Sequence, residues 1–134
     1  MKTKLKTALI ATIIAITTAG IDKNNTELKK TEKMITVKVT YGVKKEFASK
    51  NKENIALFIK DLKAMNSKEF TYNVYTLEDQ TTFIHISSYA NKEIQEQVLN
   101  TPSFKEFQRQ RDESGLTKAH NLKVLNFVAT SQNE

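Results

Sequence analysis

The chain has 134 residues and a formal net charge of +6, with 39% hydrophobic and 27% charged residues. This length suits one domain with a single hydrophobic core, and the composition is that of a folded protein rather than a disordered one. The sequence contains no cysteine, which excludes disulfide bonds, thiol catalysis and a lipid-modified cysteine.

Residues 1–20 have the layout of a secretory signal peptide. The basic stretch MKTKLK precedes TALIATIIAITTAGI, an uncharged, largely apolar run that ends in small residues and is too short to predict a transmembrane helix. We expect cleavage near Ala19 or Gly20 and export to the periplasm or the medium, without stable membrane insertion afterwards. An uncleaved N-terminal anchor is the alternative. The lysines that remain alternate with glutamates, so no nucleic-acid-binding face is predicted.

The folded domain is expected to span residues 34–130, between a polar tether at 21–33 and a short tail at 131–134. It begins with MITVKVTY, where apolar and polar residues alternate as in a strand with one buried face. Over residues 47–65 the apolar positions recur at steps of three and four, which predicts an amphipathic helix.

A hairpin is predicted next. The β-rich runs Phe70–Leu77 and Thr81–Tyr89 flank the turn-forming residues EDQ. The segment KEIQEQVL then predicts a short helix that presents Ile94 and Val98 to the core.

The only proline of the chain marks the start of a further helix. Thr101 is predicted to be its N-cap, with Pro102 at the first helical position, and Ser114-Gly115 is expected to end it. A last strand is predicted in NLKVLNFVAT, residues 121–130. The order β-α-β-β-α-β predicts a ferredoxin-like α+β domain whose antiparallel sheet has both helical segments on one face.

The other face of such a sheet would be bare and partly apolar. A domain of this size commonly covers such a face with a second copy of itself. We therefore expect a homodimer in which two sheets meet face to face as an α+β barrel.

The mature domain resembles the antibiotic-biosynthesis-monooxygenase-like group of the dimeric α+β barrel superfamily. The resemblance is carried by MITVKV and by FIHISSYANKEIQEQVLNTPSFKEF. In the second stretch a strand ends in Tyr89, a helix starts at Lys92, and a Thr101-Pro102 step precedes Phe104. This resemblance implies cofactor-independent oxidation of a small aromatic or quinone-type molecule.

The chain also departs from the pattern of that family. Ser87 stands where members often carry a glutamate, and Val98 stands where many carry a histidine. Gln108, Thr40 and the absence of tryptophan disfavour haem degradation, and no cofactor is expected. These departures favour a second hypothesis, in which the protein is a non-catalytic small-molecule binder or a stress-associated protein with the same fold.

Strand alternation predicts which side chains face away from the helices. Residues expected under the helices are Ile35, Val37, Ile84, Ile86, Leu125 and Phe127. The opposite face then collects Thr36, Lys38, Phe83, His85, Ser87, Val124 and Asn126, together with either Tyr72 or Tyr75. Apolar walls with a few convergent polar groups are typical of small-molecule pockets.

His85 is the candidate catalytic residue, because a neutral imidazole could act as a base or orienting group for a phenol or quinol near pH 7. The alternative is a half-buried histidine that forms a hydrogen bond at the dimer interface. The candidate substrate-binding residues are Lys38, Tyr75, Phe83, Ser87, Asn126 and Phe104. Phe104 and Phe107 are also natural core residues, and Lys38 could instead extend to water at the barrel mouth. His120 is expected in an exposed loop, and the spacing of the histidines predicts no metal site.

Overall fold

The computed structural model describes residues 33–133, so the predicted signal peptide and nearly all of the predicted tether lie outside the described residues. The elements in chain order are β1 (Ile35–Val43), α1 (Lys45–Ala64), β2 (Phe70–Thr76), β3 (Thr82–Tyr89), α2 (Lys92–Leu99), α3 (Pro102–Glu113) and β4 (Leu116–Leu125). The four strands form one antiparallel sheet in the order β2-β3-β1-β4. This confirms the ferredoxin-like α+β prediction, with the second helical segment divided into two helices.

The predicted hairpin is confirmed, and its turn is held by one carboxylate. Asp79 accepts hydrogen bonds from the backbone N–H groups of Thr81 at 2.9 Å and Thr82 at 2.8 Å, and from the Thr82 hydroxyl at 2.6 Å. These hydrogen bonds lower the pKa of Asp79 to about 2. Gln80 takes a left-handed conformation with φ 59°. The turn therefore fixes how β2 pairs with β3.

The caps of α2 and α3 differ. Asn91 caps α2, because its side-chain oxygen accepts a hydrogen bond of 2.9 Å from the backbone N–H of Ile94. Thr101 occupies the N-cap position of α3, as predicted, but its hydroxyl makes no cap and donates instead to the carbonyl of Gln97 at 3.3 Å. Pro102 needs no such partner at the first helical position. Gly115, with φ 79°, ends α3 as predicted.

This difference gives a paired stability prediction. Asn91→Ala should lower the free energy of unfolding by about 1 kcal/mol, because it removes the hydrogen bond to the N–H of Ile94. Thr101→Ala should lower it by less than about 0.5 kcal/mol. Urea unfolding of the two variants measures both values, and equal losses would contradict the assignment of the caps.

The last strand lies earlier than predicted. Strand β4 begins directly after Gly115 and ends at Leu125, and residues 126–133 are not part of the sheet. The prediction of a strand over residues 121–130 is therefore wrong at both ends. Phe127, expected under the helices, is 72% exposed. The reason is the pairing with β1, which already starts with Val43 opposite Leu116.

Helices α1 and α3 pack on one face of the sheet and enclose the hydrophobic core. The most deeply buried large side chains are Tyr41, Val43, Phe58, Phe83, Tyr89, Val98 and Phe107. In the part of the chain that the structure describes, no helix has the length and apolar character needed to cross a bilayer.

Candidate functional site

The register of the sheet shows which side chains share a face. Residues directly opposite each other in an antiparallel pair point to the same side. Strand β1 pairs Val37 with Ser87 and Val39 with His85. Because Val37 belongs to the core, Ser87 and His85 also lie on the helix side. The prediction that β3 turns these residues away from the helices is therefore wrong.

The same register corrects the faces of the other predicted residues. Ile84 and Ile86, expected under the helices, lie opposite Thr40 and Lys38 on the other face. On β4 the assignment is inverted in the same way. Val124 lies opposite Val37 on the helix side, whereas Leu125 lies opposite Thr36.

The structure divides the predicted site residues into separate groups. Phe83, His85, Ser87 and Phe104 are buried on the helix side of the sheet. Lys38 and Tyr75 lie on the other face, where Tyr75 is 54% exposed. Asn126 lies beyond β4 and accepts a hydrogen bond of 3.5 Å from Lys33. The single pocket predicted from strand alternation is therefore not formed within the described chain.

His85 lies at the centre of a buried hydrogen-bond network on the helix side. Its Nε2 atom is 3.0 Å from the hydroxyl oxygen of Tyr41, and its Nδ1 atom is 2.9 Å from that of Tyr72. The side chain amide of Asn51 donates a further hydrogen bond of 3.0 Å to Tyr41. The hairpin register places Tyr72, and not Tyr75, on the same side as His85.

Burial keeps this network neutral. Desolvation, together with the positive charge of Arg111, lowers the pKa of His85 to about 3. Desolvation also raises the pKa of Tyr41 to about 12 and that of Tyr72 well above its ordinary value. At pH 7 the imidazole is therefore uncharged and both phenols are protonated.

Three phenylalanines surround the network. The ring of Phe107 stacks on His85 with a centroid distance of 5.5 Å, and Phe58 lies 6.2 Å from the same imidazole. The ring centroid of Phe104 lies 5.1 Å from that of Phe58 and 6.0 Å from that of Tyr72. The two phenylalanines of α3 are thus core side chains that also form the wall of the histidine site.

Arg111 places a positive charge beside the network. This residue was not among the predicted site residues. Its side chain is only 9% exposed, and its guanidinium carbon lies 5.0 Å from the ring centroid of Tyr41 and 5.1 Å from that of Phe107. Its Nε atom pairs with Asp112 at 2.9 Å. Position 111 continues the apolar stripe of α3 formed by residues 104 and 107, and this spacing was the available signal.

His120 was predicted to lie in an exposed loop: its exposure is confirmed, but the loop is wrong. It lies within β4, with its ring 5.6 Å from Tyr41 and its Nε2 atom 3.6 Å from the Asp112 carboxylate. Burial, followed by the charge of Arg111, lowers its pKa. Its side chain is 36% exposed, so His120 connects the buried network to the protein surface.

Asn51 is the second polar side chain that the sequence analysis did not single out as functional. It is fully buried on α1, where Asn54 is another buried polar residue, and its amide nitrogen donates to Tyr41. Its carbonyl oxygen has no hydrogen-bond partner within residues 33–133. A buried acceptor without a partner is uncommon and marks a strained or functional position.

An open depression of about 260 Å³ lies where α1 ends and β2 begins. Its lining residues are Ile59, Leu62, Lys63, Asn66, Ser67, Phe70, Thr71 and Tyr72. Tyr72 belongs to both the depression and the histidine network, so it is the residue through which the two are connected.

The rings around His85 pack against one another, and the open space beside them is the depression that Tyr72 lines. In that depression a small aromatic molecule would contact apolar side chains and Tyr72. Neither nitrogen of His85 is free, because each has a tyrosine partner. Among residues 33–133, no group of three or more histidine, aspartate or glutamate side chains is arranged to hold a metal ion.

Several solved structures share this fold. A Bacteroides thetaiotaomicron protein, provisionally named an antibiotic biosynthesis monooxygenase, matches with a TM-score of 0.64 at 9% identity, over 78% of this chain and 98% of that chain. A Caulobacter crescentus protein with the same provisional name matches with a TM-score of 0.62 at 18% identity, over 74% of this chain and 93% of that chain. A Mycobacterium tuberculosis protein matches with a TM-score of 0.61 at 15% identity, over 74% of this chain and 99% of that chain.

No protein-family model and no curated protein sequence matches this chain. At these identities the structural similarity shows the fold, and it confirms the resemblance at that level.

Proposed function

We propose that this protein is an antibiotic-biosynthesis-monooxygenase-like enzyme that oxidises a small aromatic or quinone-type molecule without a cofactor. The proposal is supported by the names of the structural neighbours and by the site itself. The observation that carries it is the neutral His85, bridged by Tyr41 and Tyr72 inside an aromatic enclosure beside the buried Arg111. A phenol or quinone would reach this network through the depression that Tyr72 lines.

The reaction balances without an external reductant. A phenol ring carbon takes one oxygen atom from O₂, the second oxygen atom leaves as water, and the phenol becomes a quinone. The substrate supplies all the electrons and both hydrogens of that water molecule. The positive charge of Lys63, which lines the depression, would favour the phenolate form of the substrate.

In this proposal His85 orients other groups and does not take the substrate proton. Its pKa of about 3 makes it a weak base, and its two nitrogens are hydrogen-bonded to tyrosines. This narrows the earlier prediction that His85 is a base or an orienting group. The lowered pKa keeps the imidazole neutral, so that one nitrogen donates and the other accepts.

The test is oxygen consumption with 1-naphthol as the probe substrate and 1,4-naphthoquinone as the product. We expect the wild type to consume oxygen with this substrate. In His85→Gln the rate should fall at least about ten-fold, which corresponds to about 1.4 kcal/mol in the activation barrier. Tyr75→Phe is the matched control, because Tyr75 lies on the opposite face of the sheet. Unchanged turnover in His85→Gln would contradict the proposed role of His85.

A second candidate function is non-catalytic binding of the same class of molecule. The observation that favours it is the saturation of His85 by two internal hydrogen bonds. Ser87 and Val98, at positions where the related family often has a glutamate and a histidine, also favour it. Binding of 1-naphthol without any oxygen consumption would support this alternative and contradict the enzymatic proposal.

Export and dimerisation also belong to the proposal. Export is supported by the signal-like residues 1–20. A homodimer is supported by the apolar residues Ile84, Ile86 and Tyr75 on the sheet face that no helix of residues 33–133 covers, where Tyr75 is 54% exposed. Sedimentation equilibrium measures the oligomeric state, and a monomer at high concentration would contradict the dimer.

A further inference from the structure

The network of Tyr41, His85 and Tyr72 holds one more hydrogen than its internal hydrogen bonds use. A neutral imidazole has a single N–H group, and each tyrosine has a single O–H group. The two contacts, 3.0 Å to Tyr41 and 2.9 Å to Tyr72, take up two of these three hydrogens. One tyrosine hydroxyl therefore has a hydrogen to donate outside the network.

Burial determines which tyrosine keeps that hydrogen. Tyr41 is completely buried, and its hydroxyl oxygen already accepts from Asn51. If Nε2 of His85 carried the proton, the Tyr41 hydrogen would be buried without an acceptor, which is unfavourable. If Nδ1 carries it, Tyr41 donates to Nε2, Nδ1 donates to Tyr72, and the surplus hydrogen belongs to Tyr72.

Tyr72 is well placed to use this hydrogen. Its side chain is partly exposed and lines the depression between α1 and β2, so a ligand there would lie against the tyrosine whose hydroxyl is bonded to His85. That depression offers apolar surface from Ile59, Leu62 and Phe70 to a ring. Its polar residues include Lys63, which suits a ligand that carries electron-rich oxygen atoms.

We propose that Tyr72 donates its hydroxyl hydrogen to a carbonyl or phenolate oxygen of the bound aromatic molecule, and that His85 is the positioning residue that keeps Tyr72 in this donor state. The existence of such a ligand rests on the proposed function, whereas the donor state of Tyr72 does not. Because burial raises the pKa of Tyr72 well above 10, its hydroxyl stays protonated at neutral pH. The ligand class is a quinone, an aromatic ketone or a phenolate.

The first test needs no ligand. In the ¹⁵N-labelled full chain, the imidazole nitrogen shifts of His85 report which ring nitrogen carries the proton, and the His85→Gln variant identifies the signals. We expect the Nδ1–H tautomer. The Nε2–H tautomer would overturn the inference, because Tyr72 would then donate its hydroxyl hydrogen to Nδ1 of His85 and would have none left for a ligand.

The second test uses 1,4-naphthoquinone and naphthalene as probes in equilibrium dialysis with the full chain. Tyr72→Phe should weaken binding of the quinone about ten-fold and leave naphthalene binding unchanged, because only the quinone has an oxygen acceptor. The control variant Tyr75→Phe should change neither. Equal quinone binding by the wild type and Tyr72→Phe would overturn the inference while the proposed function stands.

A wild type that binds neither probe would contradict the proposed function instead. The tautomer measurement alone would then support or overturn the donor state of Tyr72. The two failures are therefore distinguishable.

Discussion

Replacement of Phe58 by alanine should lower the free energy of unfolding by about 3 to 5 kcal/mol, which is the usual cost of removing a fully buried aromatic ring. The Phe58 side chain is 0% exposed and packs α1 against both α3 and the sheet. The centroid of its ring lies 4.9 Å from that of Phe107, 5.1 Å from that of Phe104 and 5.4 Å from that of Tyr72. The cavity would open beside His85, so quinone binding should be lost together with stability.

The adjacent residue of the same helix is a matched control. Leu57 is 60% exposed, and Leu57→Ala should change the free energy of unfolding by less than about 0.5 kcal/mol. Urea unfolding followed by circular dichroism measures both variants. A loss below about 2 kcal/mol for Phe58→Ala would mean that α1 does not pack on the sheet as described.

Acid should destabilise the protein through His85 well before most carboxylates are protonated. The pKa of His85 is about 3 in the folded protein, below its ordinary value of 6.5. Between these values the unfolded chain binds a proton that the folded protein does not, so stability is lost as the pH falls. Between pH 7 and pH 4 this single group should remove about 3 kcal/mol.

The titratable groups that face His85 are its two tyrosine partners, Tyr41 and Tyr72, which stay protonated, and the basic groups Arg111 and His120. The charges of Arg111 and His120 lower the pKa of His85 further. His85→Gln removes the titrating imidazole, so its stability should change by about 3 kcal/mol less than that of the wild type over this interval. His120→Gln is the control, and it should retain most of the loss because His120 is 36% exposed. Equal pH dependence in the wild type and His85→Gln would contradict the buried neutral histidine.

The sequence predicted most of the fold because its patterns were long and local. Strand β1 was predicted from its alternation and α1 from its three- and four-residue steps. Both elements, and the two strands of the hairpin, begin and end within about two residues of their predicted bounds. Strand β4 was placed five residues too late, because LTKAHNLKVL lacks a clear alternation and its start depends on pairing with β1.

The candidate site was predicted less well because it depends on which way β3 faces. The stretch FIHISSY can be read with Ile84 and Ile86 inward, or with Phe83 and His85 inward. Hydrophobicity favours the first choice, whereas the structure takes the second, because Tyr41 and Tyr72 supply hydrogen bonds to the buried imidazole. These partners come from other strands, and sequence spacing alone cannot bring them together.

The most direct test of the proposed site is the response of the labelled protein to 1,4-naphthoquinone in an NMR titration. We predict that the imidazole signals of His85 and the ring signals of Tyr72 shift in proportion to the bound fraction, while those of Tyr75 do not. Shifts confined to Tyr75 and Lys38 would place the ligand on the opposite face of the sheet. That result, or the absence of any shift, would contradict a binding site between the sheet and the helices.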